Sequence, residues 1–191
     1  GGSSDLSVAY GMYEEACAVF ERQVKENGMV SDRKWLAYCC SNFALVCRAT
    51  LKTDQKEKAE GLLLKAAALW EEIARQQGTA SDRVYLAEAW LRLGDFYAGD
   101  SDSVSIRQAE ELYRRAQRIW QSLKEEGNDG SEKDGLPACE MAIGTFYAKL
   151  GGDENNRKAL SCIRDAREQY RRNLAEHRTT QNLRAVAYTW L

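Results

Sequence analysis

The sequence predicts an all-α protein of stacked antiparallel helix pairs, about eight helices in all, and three observations carry that expectation. Proline occurs once in 191 residues, where an ordinary globular chain holds roughly 5%. Ala, Leu, Glu, Arg and Gln are abundant, and these residues lose little freedom in a helix. Most telling, shifting the chain by 50 residues brings it onto itself without gaps. Phe20, Trp70, Trp120 and Tyr170 share one column, and Tyr13, Leu63, Tyr113 and Ile163 another. Ala9, Ala59, Ala109 and Ala159 fill a third, Ala16, Ala66, Ala116 and Ala166 a fourth, and Leu36, Leu86, Leu136 and Val186 a fifth. With 25 alanines in the chain, chance supplies roughly 0.01 all-alanine columns among the 41 that span four rows, against the two seen.

Taken in order, residues 1–6 open on Gly1-Gly2-Ser3-Ser4, have neither a charged nor an apolar leader, and read as an appended linker ahead of a repeat array over 7–191. A helix of one type, called second-type because it closes each period, is expected over Ser7–Asn27, Lys56–Gln77, Arg107–Glu126 and Asn156–Glu176. Gly28, Gly78 and Gly127 follow three of these as the left-handed residue that commonly stops a helix. A first-type helix is expected to start at the serines Ser31, Ser81 and Ser131, whose hydroxyls are suited to cap free amides, Ser131 with Asp134 forming a capping box. These helices run through Trp35–Thr50, Tyr85–Ala98 and Leu136–Leu150, with apolar spacing near 3.6 and stops at Gly99 and Gly151-Gly152. Pro137 falls near a helix start, where its missing amide proton costs little. Polar links such as Thr53-Asp54-Gln55 and Gly99–Ser105 are short enough to make neighbours antiparallel. A last first-type helix starts near Gln181 and stops at Leu191, about eight residues short of its equivalent at Ala98, so the array is expected to continue in a longer protein.

Composition narrows function. With 27 Lys+Arg against 29 Asp+Glu, the charge of −2 leaves no general footprint for a polyanion, so nucleic acid is not expected as a partner. No apolar run approaches the ~18–20 residues that span a bilayer, and the chain reads as soluble with no membrane partner. Cys17, Cys39, Cys40, Cys47, Cys139 and Cys162 contain no C-x-x-C pair and His177 is the single histidine, so no metal site is expected. The cysteines read as small buried hydrophobes in a reducing compartment, hence a cytoplasmic location. One histidine leaves a single candidate base, Gly151-Gly152 is followed by Asp153-Glu154 rather than by a phosphate-loop lysine, and Glu71-Glu72 and Glu125-Glu126 fall on polar faces. The expectation is a protein that is not an enzyme and carries no cofactor.

Trp90, Leu93, Gly94 and Tyr97 reproduce the spacing W-x2-L-G-x2-Y, and Ala109, Tyr113 and Ala116 continue it in the next helix. This resembles a tetratricopeptide repeat. Small Gly94, Ala109 and Ala116 allow close approach, while Trp90, Tyr97 and Tyr113 fill the space between helices. The flanking copies keep the second helix (Ala59, Leu63, Ala66; Ala159, Ile163, Ala166) and vary the first (Cys40, Phe43, Ala44, Cys47; Glu140, Ile143, Gly144, Tyr147). The resemblance covers residues 5–191, with a period of 50 in place of about 34, and the longer unit resembles extended repeats of some bacterial regulatory proteins.

The resemblance implies a right-handed α-solenoid whose first helices line a concave groove that binds peptides. Mapped onto this sequence, the groove residues are Tyr38, Ser41, Asn42, Leu45 and Arg48, then Glu88, Arg92 and Asp95, then Met141, Thr145 and Lys149. Only Asn42 and Arg92 remotely fit the family's clamp for a terminal carboxylate, so that class of tail is not expected. A second candidate surface is basic: residues 155–191 carry eight Lys/Arg against three acids, and Arg164, Arg167 and Arg171 share one helical face. The functional expectation is a protein–protein interaction scaffold. The alternatives are a self-associating spacer whose uncapped ends stack on neighbours, and a regulatory domain that senses a signal peptide.

Overall fold

The computed structural model describes residues 2–50, 53–127 and 135–176. Among them are seven helices and no strand: α1 Gly2–Asn27, α2 Val30–Ala49, α3 Thr53–Gln77, α4 Ala80–Tyr97, α5 Ser103–Glu125, α6 Gly135–Leu150 and α7 Asp153–Glu176. The chain divides into two compact units, Gly1–Phe96 and Tyr97–Leu191. The eighth helix expected from Gln181, the Ser131–Asp134 cap and His177 lie outside the described residues.

The helices fall where the period puts them, but their starts differ. Residues 2–6, expected as linker, already belong to α1. Likewise α3, α5 and α7 start at Thr53, Ser103 and Asp153 rather than at Lys56, Arg107 and Asn156. For α5 the reason is a cap in the expected loop: the Asp102 carboxylate accepts from the amides of Val104 at 3.0 Å and Ser105 at 2.9 Å. The serine caps are also corrected. Gly28 and Gly78, at φ 61° and 62°, turn the chain so tightly that the next helix begins two residues later, leaving Ser31 and Ser81 inside α2 and α4. Met29 flanks α2 without a side-chain cap. Before α4, Thr79 Oγ1 accepts from the Asp82 amide at 3.1 Å and donates to Asp82 Oδ2 at 2.6 Å, a box set two residues ahead of the serine.

In the first unit, α1 and α3 both pack on α2. Ion pairs join Lys58 to Glu14 at 2.7 Å and Lys65 to Glu21 at 2.5 Å, tying α3 to α1. Lys34 meets the buried Asp82 at 2.5 Å and ties α2 to α4. Helices one period apart are thus side by side, as a stack of repeated pairs requires. In the second unit α6 packs on both α5 and α7.

An aromatic step repeats at an interval of fifteen residues. Phe20 stacks on Trp35 at 6.3 Å and Trp70 on Tyr85 at 4.7 Å. In the next copy Trp120 meets Gly135, where an added Cβ would fall 2.2 Å from the indole ring. The ring occupies the place of a second aromatic side chain. Gly144 has a related role: a Cβ there would come 2.8 Å from Ile163 Cγ1 and 3.3 Å from the Ala159 carbonyl, so its absence sets how closely α6 approaches α7.

Candidate functional site

The first candidate surface is the outward face of α2 and α4, both in the first unit. Along α2, Trp35, Tyr38 and Leu45 recur at helical spacing and stay 56%, 49% and 46% exposed. Trp35 and Tyr38 stand nearly perpendicular, at 88° and 6.2 Å between ring centres, so each presents a face or an edge to solvent. Asn42 sits between Tyr38 and Leu45, and its Oδ1 accepts from Arg92 Nη1 at 3.1 Å, across one full period. The two residues singled out as remnants of a carboxylate clamp therefore hold each other. Arg48 lies over the Phe96 ring at 5.9 Å. On α4, burial pushes the Glu88 carboxyl above its ordinary range, against the opposing pull of Arg92. Asp95 is exposed.

Two corrections follow. Ser41 is buried and faces the core rather than the groove. Trp35, which the mapping of groove residues left out, is the most exposed large side chain of this face. Its signal was present in the sequence: it precedes Tyr38 by one helical step and lies outside the tetratricopeptide motif positions. The third row of candidates is on α6 in the other unit, where Met141 is half-buried, Lys149 is exposed and Thr145 Oγ1 donates to the Met141 carbonyl at 2.9 Å.

The basic candidate on α7 is less uniform than its arginines imply. Arg164 and Arg171 are exposed and Arg167 half-buried, but Asp165 and Glu168 interleave with them and Glu168 pairs with Arg172. This part of α7 forms one wall of a cleft of about 790 Å³, closed by Lys124 and Glu125 of α5 and by Leu136 and Glu140 of α6. Glu140 is 7% exposed, and its Oε2 accepts from Gln169 Nε2 at 2.7 Å. Burial first, and then the charge of Asp165, raise its carboxyl to about 7. Glu140 occupies the column of Trp90, whose indole donates to Glu71 at 3.0 Å, and that column was the available clue to it.

All six cysteines are free thiols, five of them buried and Cys162 half-buried. The hydrogen bond to Cys17, and then burial, push the Cys40 thiol up, so it stays protonated and donates. Among the described residues no group of three or more His, Cys, Asp and Glu side chains is placed to hold a metal ion. No described helix is long and apolar enough to cross a membrane.

Together these features define a helical repeat protein whose exposed faces carry more chemistry than its interior. No protein-family model and no curated protein matches the chain. Two solved structures are similar to it: a "DHF79 filament", at 15% identity and TM-score 0.37 over 97% of this chain and 98% of the other, and the crystal structure of the de novo designed helical repeat protein DHR64, at 15% identity and TM-score 0.38 over 97% and 92%.

Proposed function

We propose that the chain is a tetratricopeptide-like interaction scaffold, a right-handed solenoid without catalytic activity that holds a peptide or domain of another cytoplasmic protein on the face of α2 and α4. The supporting observation is the exposed stripe Trp35, Tyr38 and Leu45 beside an Arg92 whose guanidinium is already fixed by Asn42. Exposed aromatic side chains on a rigid helix lose little conformational freedom on binding, and a pre-oriented arginine adds direction. Isolated exposed apolar residues are ordinary, but three on one stripe, two of them aromatic, form a patch.

The test is capture of partners by the tagged protein, repeated with Tyr38→Ala, Arg92→Glu and Arg171→Glu. A partner lost with Tyr38→Ala and Arg92→Glu but kept with Arg171→Glu supports the α2–α4 face. Loss with Arg171→Glu alone moves the contact to α7, and equal retention by all three variants removes both surfaces from consideration.

A further inference from the structure

We infer that the cleft between α5 and α7 is a binding site for an organic cation, an alkylammonium group received by Glu140 of α6 at the floor. The site lies within the second unit and is separate from the α2–α4 face, so either can fail alone.

The seam between second-type helices differs between the two units. In the first it is closed by two ion pairs, Lys58 with Glu14 at 2.7 Å and Lys65 with Glu21 at 2.5 Å, and Lys58 also donates to the Tyr10 hydroxyl at 2.5 Å. One hundred residues later the same columns read Lys158 with Arg114 and Asp165 with Gln121. Two cations repel, and a carboxylate gains no counter-charge from an amide, so neither combination can staple α7 to α5. The seam there is open as the cleft of about 790 Å³, a volume typical of small-ligand sites.

The charges of the cleft select a cation. Both cationic groups on its walls are engaged: Arg172 pairs with Glu168, and Lys124 donates to Gln169 Oε1 at 3.3 Å. Among the described residues, Glu125, Glu140 and Asp165 have no cation in ion-pair contact. Glu140 is the decisive one, because it is 7% exposed and the Gln169 amide on its Oε2 is a neutral donor. A carboxylate so far from water without a counter-charge is costly, and burial, then the charge of Asp165, hold it at about 7. In the first unit the Lys65 ammonium acts electrostatically on Cys40, the residue in the column of Glu140. The second unit has Asp165 in the column of that lysine. An alkylammonium from outside therefore restores the group that the repeat has lost, and gives the buried carboxylate its counter-charge.

Isothermal titration calorimetry on the full chain tests this with two probes, cadaverine and the end-capped peptide Gly-Gly-Lys-Gly-Gly, with circular dichroism on every variant. Heat with either probe at pH 8 supports the site; the diamine alone would identify a free amine as the ligand, the peptide alone a lysine side chain. The norleucine analogue of the peptide should not bind. Glu140 is faced from α5 by Lys124 and Glu125, and from α7 by Cys162, Asp165, Glu168 and Arg172. Because Glu140 must give up its proton to receive a cation, affinity should fall roughly tenfold from pH 8 to pH 6. Glu140→Gln should remove that dependence, and Glu140→Gln and Asp165→Asn should each weaken binding at pH 8 about tenfold. Glu57→Gln, at an exposed acid of the first unit, should change nothing. No heat with either probe, unchanged affinity in Glu140→Gln or Asp165→Asn, a wild-type affinity that ignores pH, equal binding of the norleucine peptide, or an equal loss with Glu57→Gln would each overturn the inference.

Discussion

Cys40 and Glu140 stand one hundred residues apart on the same column of the repeat, with Trp90 between them, and their surroundings differ as much as their chemistry. In the first unit, Cys40 is 0% exposed and its thiol donates a hydrogen bond to Cys17 of α1. In the second, Glu140 is 7% exposed, takes an amide hydrogen from Gln169 of α7 and faces a cleft that also holds Lys124 and Arg172. One backbone position thus supports a sulfur contact in one unit and a carboxylate beside a charged cleft in the other. The repeat fixes where a side chain goes, and the residues of neighbouring helices decide what chemistry it meets there.

Exchanging the two chemistries is the harshest way to break that comparison. Cys40→Glu places a longer, ionisable side chain at a position that is 0% exposed and filled by a thiol, and is expected to cost about 3–5 kcal/mol. Thermal unfolding followed by circular dichroism would show a large drop in the transition of the first unit. Glu140→Leu at pH 8 is expected to be neutral or slightly stabilising in the same measurement, since a desolvated charge is removed. A comparable loss in both variants would mean that the column, rather than its surroundings, sets the demand.

The close approach of paired helices offers a second, smaller test. Ala44, Gly94 and Gly144 share a column, and Ala44 carries its Cβ at 0% exposure, while Gly144 has no room for one beside Ile163. Gly144→Ala should therefore cost about 1–3 kcal/mol by overpacking, despite the better helix propensity of alanine. Ala44→Gly should cost about 1–2 kcal/mol, through added backbone freedom and the loss of a buried methyl group. Denaturant melts of the two variants separate these mechanisms.

Much of this fold is legible in the sequence because a period of 50 repeats the same packing problem. The alanine and aromatic columns mark core positions: Ala59, Ala109 and Ala116 are all 0% exposed. Helix starts are less legible. Thr79 and Asp102 cap their helices from columns whose residue type changes from copy to copy, and Ser31 and Ser81 are not the caps. The candidate site is readable only in part. Tyr38, Leu45 and Arg92 follow from helical spacing, whereas the buried Ser41 does not, because neighbouring positions of a helix differ by about 100° and a small hydroxyl fits either side. Glu140 is a departure from the repeat: the period places α5 and α7 beside it, but the Lys124, Asp165 and Gln169 that set its surroundings are residues particular to this copy.

The acidity of Glu140 sharpens the comparison further. Its carboxyl is raised from 4.5 to about 7 in the native chain, so between those values the folded state binds more protons than the unfolded one. The stability of the second unit should accordingly be greater near pH 5 and fall as pH rises through 7. The cleft opens to solvent, which limits the effect to about 1–2 kcal/mol. Urea melts of the wild type and Glu140→Gln at pH 5 and pH 8 measure it: the variant should lose this share of the pH dependence while keeping its amide partner Gln169. An unchanged dependence in the variant would assign it to other carboxyls.

The smallest effect belongs to the hydrogen bond between Asn42 and Arg92, and it separates folding from binding. The bond joins two half-buried side chains at 3.1 Å, and removing it with Asn42→Ala should cost only about 0.5–1.5 kcal/mol, because water can replace the lost acceptor. For a bound partner the consequence should be larger relative to its affinity, since Arg92 would regain freedom that binding must then remove. Asn42→Ala is therefore expected to leave the melting transition nearly unchanged while weakening capture on the α2–α4 face, and titration calorimetry with the captured partner would read the difference. An equal affinity for both proteins would mean that Arg92 does not contact the partner, leaving Trp35, Tyr38 and Leu45 to carry the recognition by apolar contact alone.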